Sequence, residues 1–295
     1  MAGAGGSGAA PVIGLPPEPA PLDAHLHVWD LTVNTYPWLG PQHGPLYTSF
    51  SPEQAQRELA ASGVGSAILV QAEDSVDETE YLLDIADRHD WVAGVVGWVP
   101  LEEPDVAAAT LERFGRHPRF CGVRQLVHDD PRPDVLDLPS VRASLRHLAA
   151  AGVPLDVPDA WPRHLEQAGR LAEDIPDLVL VIDHLAKPPR GLPELAEWRT
   201  QMARVARNPV AVAKVSGLRR AGATYSVEAL RPVWEAALEL FGPERLMFGS
   251  DWPMTVPEGG YRPTYEVLAA LVGELSADEQ RSVMGDTARR VYRLV

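Results

Sequence analysis

Asp23-Ala24-His25-Leu26-His27 lies in the first of eight apolar segments that together decide the fold. Alternate residues of a β-strand share one face, so we expect His25 and His27 to project together, with Asp23 on that face one step deeper. Two imidazoles placed in this way can bind one metal ion or hold one substrate oxyanion. The alternative is a short polar strand with two unrelated histidines. Asp251, near the other end of the chain, favours the functional interpretation.

Segments rich in Val, Ile and Leu alternate along the chain with segments of helical periodicity. Several apolar segments are nearly continuous, as expected of strands buried on both faces of a parallel sheet. Strands are predicted near residues 22–28, 66–71, 92–99, 120–127, 153–157, 178–184, 210–216 and 245–251. Helices are predicted near residues 51–62, 77–89, 105–115, 139–151, 162–174, 192–207, 226–241, 263–274 and 276–293. Eight strands with a helix after each predict a single (β/α)8 TIM barrel, an α/β fold.

The domain organisation is simple. A doubly wound open sheet is the competing architecture, but no G-x-G-x-x-G motif follows the first strand. Residues 1–20 are rich in Gly, Ala and Pro and are predicted to form a flexible tail, with residues 21–295 forming the barrel. The segment 30–50 is long for a loop between a strand and a helix, so it is predicted to form a wall of the pocket.

Composition and charge narrow the class of protein. The formal net charge of −15 argues against nucleic acid and anionic membrane surfaces as partners, because phosphates would be repelled. No apolar run approaches the roughly 20 residues of a membrane span, and the first 20 residues lack the Lys or Arg that begins a signal peptide. The single cysteine, Cys121, suits a reducing compartment. We therefore expect a soluble cytoplasmic protein with a small-molecule partner. The sequence does not decide the oligomeric state, and a homo-oligomer is possible.

Polar residues stand at the carboxyl ends of the predicted strands, where barrel enzymes assemble their sites. Buried polar groups are costly unless they are paired, so their convergence indicates a cavity. The chain has no G-x-S-x-G motif, no P-loop, no H-E-x-x-H and no C-x-x-C. Hydrolysis or proton transfer by His and Asp remains, with or without a metal. The strand-end residues are His25, His27, Gln71, Trp98, Arg124, Asp156, His184, Lys214 and Asp251.

Asp251 and His184 are the strongest candidates after the histidine pair. Asp251 could simply cap a following helix, but Pro253 and a glycine-rich loop delay that helix to about residue 263. The carboxylate therefore has no helix N-terminus nearby whose backbone N–H groups it could cap. A metal-bound or histidine-held water is a suitable partner. His184 ends a buried strand and precedes the stiff Lys187-Pro188-Pro189 loop, although a lone histidine on a strand is more often part of the core.

The 26 basic residues include only two lysines, Lys187 and Lys214, so 24 are arginines. A compact ammonium is therefore predicted to be required at these two positions, against the alternative of chance. Both lie on the predicted active face. Cys121 is predicted to belong to the core at the opposite end of the barrel. Five histidines on predicted loops or helices carry no signal: His43, His89, His117, His147 and His164.

Arg124 has two interpretations that the sequence leaves open. Its guanidinium could neutralise a structural carboxylate such as Asp156, or it could hold the carbonyl or hydroxyls of a substrate. Trp98 and Gln71 are weaker candidates, because a tryptophan at a barrel end often only packs and a glutamine can simply bond a neighbouring loop. His128 lies on the predicted active face as an accessory candidate.

Five motifs occur in order along the chain: Asp-Ala-His-x-His-x-Trp from Asp23, Gly-Val-Arg from Gly122, Asp-His-x-x-Lys-Pro-Pro from Asp183, Lys-x-Ser-Gly-Leu from Lys214, and Phe-Gly-Ser-Asp-Trp-Pro from Phe248. Together they resemble the lactonase branch of the amidohydrolase superfamily, which includes L-fuconolactonase, L-rhamnonolactonase and pyrone dicarboxylate lactonase. The resemblance runs from about residue 22 to residue 294 and implies a (β/α)8 barrel that opens a lactone ring by adding water. It is specific for the family and not for one substrate.

The resemblance implies a role for each matching residue. Asp251 looks like the general base that takes a proton from water, and His25, His27 and His184 look like the histidines that hold a metal or polarise the lactone carbonyl. If a metal is bound, these four residues are its expected ligands and Zn²⁺ is the expected ion, while metal-free catalysis stays open. Substrate contacts are expected from Arg124, Lys214, Trp98, Gln71, Asp156 and His128.

The chain also departs from the family pattern. The fourth and fifth strands offer Arg124 and Asp156 where metal-bridged amidohydrolases commonly have lysine and histidine, so a two-metal centre is not expected. Ala186 stands where glycine is usual, and Gln125 stands where histidine is common. Few cationic groups face the predicted pocket, which favours a neutral sugar lactone over a dicarboxylate. A metal-dependent decarboxylase of the same superfamily and a non-catalytic sugar-acid-binding barrel are the alternatives.

Overall fold

The computed structural model describes residues 19–189, 192–220 and 222–294 of the chain. Its parallel sheet has eight strands whose spatial order follows the sequence. Hydrogen bonds from Asp251 N to His25 O (2.8 Å) and from His27 N to Trp252 O (2.7 Å) join the first strand to the last. The strands are β1 Leu22–Leu26, β2 Ser66–Val70, β3 Val92–Gly97, β4 Phe120–Arg124, β5 Leu155–Val157, β6 Leu180–Ile182, β7 Val212–Val215 and β8 Leu246–Phe248. The predicted (β/α)8 barrel is confirmed.

Helices surround the sheet close to the predicted positions. The predicted last helix, 276–293, is interrupted by a π-helical segment, Ser282–Asp286, in which Gly285 leaves the helical conformation. Residues 1–18 of the predicted tail lie outside the described residues. The helices are α1 Pro52–Ala61, α2 Val76–Arg88, α3 Pro104–Phe114, α4 Pro139–Ala151, α5 Leu165–Asp174, α6 Leu192–Ala206, α7 Val227–Phe241, α8 Tyr261–Val272, α9 Ala277–Arg281 and α10 Thr287–Val291.

The core has two parts. The larger part packs between the sheet and the surrounding helices. The smaller part joins side chains from strands all around the sheet, which can touch only across the inside of a barrel, and it includes Tyr292 after α10. The inside of the barrel is therefore filled beneath its carboxyl end, where the predicted site residues lie. Of the described helices, none is long and apolar enough to cross a membrane.

The segment 30–50 is held against the barrel by a buried carboxylate. Glu78 on α2 accepts hydrogen bonds from Tyr36 Oη (2.6 Å), Asn34 Nδ2 (2.9 Å) and Ala72 N (3.3 Å). Burial raises the pKa of Glu78 to about 7. Trp38 Nε1 also donates to Ala72 O (2.8 Å). The segment is thus fixed in place as a wall beside the mouth of the barrel, as predicted.

Replacing Glu78 by alanine is expected to lower the free energy of unfolding by about 2–4 kcal/mol, because three donors, two of them buried, lose their acceptor. Glu80→Ala is the matched control on the same helix, since Glu80 is half-exposed and forms an ion pair with the similarly exposed Arg113. It should cost less than about 1 kcal/mol. Urea denaturation of both variants measures the difference. Equal unfolding midpoints would show that Glu78 does not anchor the wall.

Candidate active site

Three histidines and one aspartate converge at the carboxyl end of the barrel. His25 Nε2 lies 3.1 Å from His27 Nε2. Asp251 Oδ1 lies 3.8 Å from His25 Nε2, 3.5 Å from His27 Nε2 and 3.9 Å from His184 Nε2. All four side chains are buried, and Asp251 is the most exposed of them at 6%. The structure therefore brings together the four residues that the sequence singled out as catalytic.

Left-handed backbone places two of these side chains. Asp251 has φ 58°, and the run His184 to Lys187 has φ values of 57°, 50°, 59° and 59°. Such a conformation costs a non-glycine residue roughly 1–2 kcal/mol, so a run of it is kept only where the surroundings hold it. Hydrogen bonds from Trp161 N to Ala186 O (3.0 Å) and from Trp198 Nε1 to Leu185 O (2.8 Å) do so. Ala186, where the resemblance implies glycine, thus holds a φ that glycine would adopt without strain.

Gly217 gives the site the space that it needs. Its φ is +55°, and a Cβ atom there would lie 2.3 Å from His184 Nδ1 and 2.8 Å from Asp251 Oδ2. No side chain fits between the two catalytic candidates. This explains the glycine of the Lys-x-Ser-Gly-Leu motif in physical terms.

Asp23 does not share the face of the two histidines. Its Oδ1 instead accepts hydrogen bonds from the backbone N–H groups of His25 (3.0 Å) and Ser250 (2.9 Å). The register of β1 shifts between Asp23 and Leu26, which breaks the simple alternation of side chains. Asp23 therefore fixes the junction between β1 and β8, and the sequence expectation was wrong for this residue.

The outer ring nitrogens of the histidines are tied to fixed groups. His27 Nδ1 donates to Val70 O (2.7 Å), and His184 Nδ1 lies 2.9 Å from Ser216 Oγ. His25 Nδ1 lies between the Asp183 carboxylate (3.3 Å), to which it can donate, and the Lys214 ammonium (3.2 Å), from which it can accept. Burial lowers the pKa of both His25 and His27, which favours their neutral forms. In the tautomer with both protons on Nδ1, the two Nε2 lone pairs face each other across 3.1 Å and can hold a cation between them.

The donors of His25, His27 and Asp251 have the spacing of a metal site. Donor atoms held 2.0–2.1 Å from a tetrahedral Zn²⁺ lie about 3.3 Å apart, and the three observed separations are 3.1, 3.5 and 3.8 Å. A second set, His25, Asp183 and His184, is also close enough to hold an ion. Its place is taken by the Lys214 ammonium, 3.1 Å from Asp183 Oδ1 and 3.2 Å from His25 Nδ1. The first set therefore fits one divalent metal ion.

Lys214 and Asp156 lie beneath the histidines. Both are 0% exposed, and Lys214 Nζ donates to Asp156 Oδ2 (2.6 Å). Tyr292 Oη donates to the same carboxylate (2.8 Å). Neither Lys214 nor Asp156 lines the cavity described below, so this geometry does not support the substrate contact expected of them. Asp183 was missed by sequence reasoning, and its one signal was its position directly before His184.

Gln71 is hydrogen-bonded to Arg124, and Trp98 is hydrogen-bonded to the next residue, Gln125. Arg124 Nη2 donates to Gln71 O (2.6 Å), and Gln71 Nε2 donates to Arg124 O (3.2 Å). Trp98 Nε1 donates to Gln125 Oε1 (3.2 Å), and Gln125 Nε2 donates to Asp74 Oδ2 (2.5 Å). Gln125, which stands where the resemblance implies histidine, thus makes two side-chain hydrogen bonds. Gln71 and Trp98 do not line the cavity described next, whereas Arg124 does.

A cavity of about 320 Å³ opens above the histidines. Arg124 and His128 line it as the sequence predicted, and so do His27, His184 and Asp251. Lys187 also lines it, on the predicted active face, and Trp38 belongs to the predicted wall 30–50. The other lining residues were not singled out by sequence reasoning, because no periodic pattern marks them. These are Trp29, His43, Ala72, Leu126, Pro158, Asp159 and Met254.

Comparison with known proteins decides the family. The amidohydrolase family model matches residues 22–294. The chain belongs to the amidohydrolase family. Proteins named L-fucono-1,5-lactonase from Burkholderia ambifaria and Burkholderia multivorans are each 33% identical to it, over 92% of this chain and 95% and 96% of theirs. A crystal structure of an amidohydrolase from Burkholderia multivorans with bound zinc matches with a TM-score of 0.81 and 31% identity, over 93% of this chain and 99% of that chain.

In this amidohydrolase, replacing Lys214 by methionine is expected to lower the free energy of unfolding by about 3–5 kcal/mol, because two buried carboxylates lose their cation. Adding Asp156→Asn should recover part of that loss by removing one unpaired charge. Arg116→Met is the control, since Arg116 is 75% exposed and should cost less than about 1 kcal/mol. Urea denaturation of the four proteins tests this. A double variant less stable than Lys214→Met would contradict the charge argument.

Proposed function

We propose that this amidohydrolase opens a lactone ring by adding water to the ester carbonyl. One observation carries the proposal: the Asp251 carboxylate lies within 3.9 Å of three histidine Nε2 atoms at the base of a cavity. Two relatives that match over nearly their full length are named L-fucono-1,5-lactonases, which supports the same class of substrate. A barrel that only binds a sugar acid would have no need for a buried general base.

Asp251 acts as the general base in the proposed reaction. Burial alone would raise the pKa of Asp251, but its interactions with His184 and His27 outweigh burial and hold the pKa below its usual value. The carboxylate is therefore ionised and takes a proton from the attacking water. The water oxygen bonds to the carbonyl carbon, and the ester bond to the ring oxygen then breaks. Asp251 returns its proton to that oxygen, which leaves as the hydroxyl of the opened acid.

The negative charge that develops on the carbonyl oxygen needs fixed partners. Arg124 and His184 line the cavity beside Asp251, and Arg124 Nη1 lies 3.5 Å from His25 Nε2. Each preorganised donor of this kind typically lowers the activation barrier by about 3–4 kcal/mol. A Zn²⁺ ion held by His25, His27 and Asp251, with His184 adjacent, would polarise the carbonyl and lower the pKa of water.

The charge of the cavity favours a neutral substrate. Arg124 and Lys187 are its two formal cations, and Asp159 and Asp251 are its two formal anions. Apart from a bound Zn²⁺, which would attract the carbonyl of either kind of substrate, a dicarboxylate would meet no surplus of positive charge from the side chains there. The indole rings of Trp29 and Trp38 line one part of the cavity and suit the ring of a sugar lactone. We therefore propose a neutral aldonolactone, of the fuconolactone type, as the substrate.

Replacing Asp251 by asparagine is expected to lower kcat roughly 10²- to 10⁴-fold, because the amide cannot accept the proton from water. A pH indicator that follows acid release from aldonolactones measures the rate, and carbon dioxide should not appear, in contrast to a decarboxylase. Asp177→Asn, at an exposed position, is the control and should keep wild-type activity. A fully active Asp251→Asn variant would end the assignment of the base.

The metal site predicts about one Zn²⁺ per chain in the purified protein. A chelator should remove the ion and lower the melting temperature, since an ion that binds only the folded state stabilises it. His27→Ala should reduce the bound zinc, whereas His147→Ala, on α4 at the other end of the barrel, should not. Elemental analysis and thermal melts measure both effects. An equal zinc content in the two variants would contradict the proposed ligands.

A further inference from the structure

Asp159 and Lys187 form a charged pair on the wall of the cavity that the proposed chemistry does not use. Asp159 lies on the loop after β5, and Lys187 lies on the loop after β6. Lys187 Nζ is 3.7 Å from Asp159 Oδ2, too far for a direct hydrogen bond. Both side chains line the cavity and are 27–30% exposed. The pair is therefore within reach of a bound ligand.

The hydrogen-bonding capacity of this pair is largely unused. Asp159 Oδ1 is buried and has no hydrogen-bond partner in the structure. Within the described ranges, the ion pair of Lys187 Nζ is the one at 3.7 Å to Asp159. A buried acceptor left without a donor costs about 1–3 kcal/mol, so such groups are kept where a ligand satisfies them. A pair that served stability alone would close to hydrogen-bond distance.

The backbone holds the two residues at a fixed separation. Asp159 has φ 43° and Lys187 has φ 59°, both in the left-handed region that non-glycine residues avoid. The hydrogen bond from Trp161 N to Ala186 O ties the two loops together. Arg220 Nη2 donates to Lys187 O (2.9 Å) and fixes the second loop from the side of β7. Strain maintained on both loops of a cavity indicates a functional constraint.

We propose that Asp159 and Lys187 recognise a ring hydroxyl of the substrate and so determine specificity for hydroxylated lactones. This inference rests on the proposed lactonase function. A hydroxyl both accepts and donates, so one hydroxyl oxygen about 2.8 Å from each charged atom can accept from the ammonium and donate to the carboxylate. The 3.7 Å gap leaves room for that triangle. A carboxylate substituent has no hydrogen to donate at neutral pH and would be repelled by Asp159.

The decisive comparison uses two lactones, a hydroxylated aldonolactone and an unsubstituted ring of the same size. Asp159→Ala should lower kcat/KM roughly 10- to 100-fold for the hydroxylated lactone, mainly through KM, because a hydrogen bond to a charged group is lost. For the unsubstituted ring the change should stay below about threefold. Lys187→Met should discriminate in the same way, and the double variant should lose little more than either single one.

Matched controls and outcomes make the test sharp. Asp159→Asn keeps an acceptor and should retain part of the preference, whereas Glu80→Ala on the outer surface should behave as wild type. Equal losses on both lactones, or no loss on either, would overturn the specificity role while leaving the lactonase function intact. A wild-type protein that hydrolyses neither lactone would overturn the proposed function, and this inference with it.

Discussion

The site depends on one buried ammonium between two carboxylates. Lys214 Nζ lies 2.6 Å from Asp156 and 3.1 Å from Asp183, and it joins β7 to β5 and to the end of β6. Burial would lower the pKa of Lys214, but the two carboxylates raise it above its usual value, so the ammonium stays charged. Asp183 in turn approaches His25 Nδ1 at 3.3 Å. The orientation of the first imidazole therefore depends on charges one layer below it.

The buried charges of Lys214, Asp156 and Asp183 explain why the barrel tolerates left-handed backbone at His184 and Asp251. A buried ion pair adds little net stability, because desolvation offsets most of the attraction, but removing one partner is expensive. The pair thus acts as a constraint on geometry. Asp183 fixes the His25 ring from the layer below. The distances from Asp251 and His184, whose backbone is left-handed, to His25 and His27 are thereby fixed as well. Gly217 makes that approach sterically feasible.

Much of the fold and part of the site could be predicted from the sequence, because apolar periodicity marks strands and parallel strands end at one edge. His25, His27, His184 and Asp251 were found for this reason. The sequence did not predict how far each side chain lies below the cavity. Lys214 was expected to contact the substrate, although it lies one layer below the cavity. His43 and Asp159 were missed because loops carry no period. Expectations on the domain boundary and the cytoplasmic location remain predictions, since no structural feature tests them.

The charge of the whole chain and the charge of the cavity fit one direction of reaction. The cavity balances two cations with two anions, so a neutral ring gains or loses little by entering it. In the proposed hydrolysis that ring becomes a carboxylate, which the balanced side-chain charges of the cavity do not retain strongly. The net charge of −15 repels an anion over the protein surface and slows its return to the cavity. The acidic composition that argued against phosphate partners thus also favours release of an acidic product.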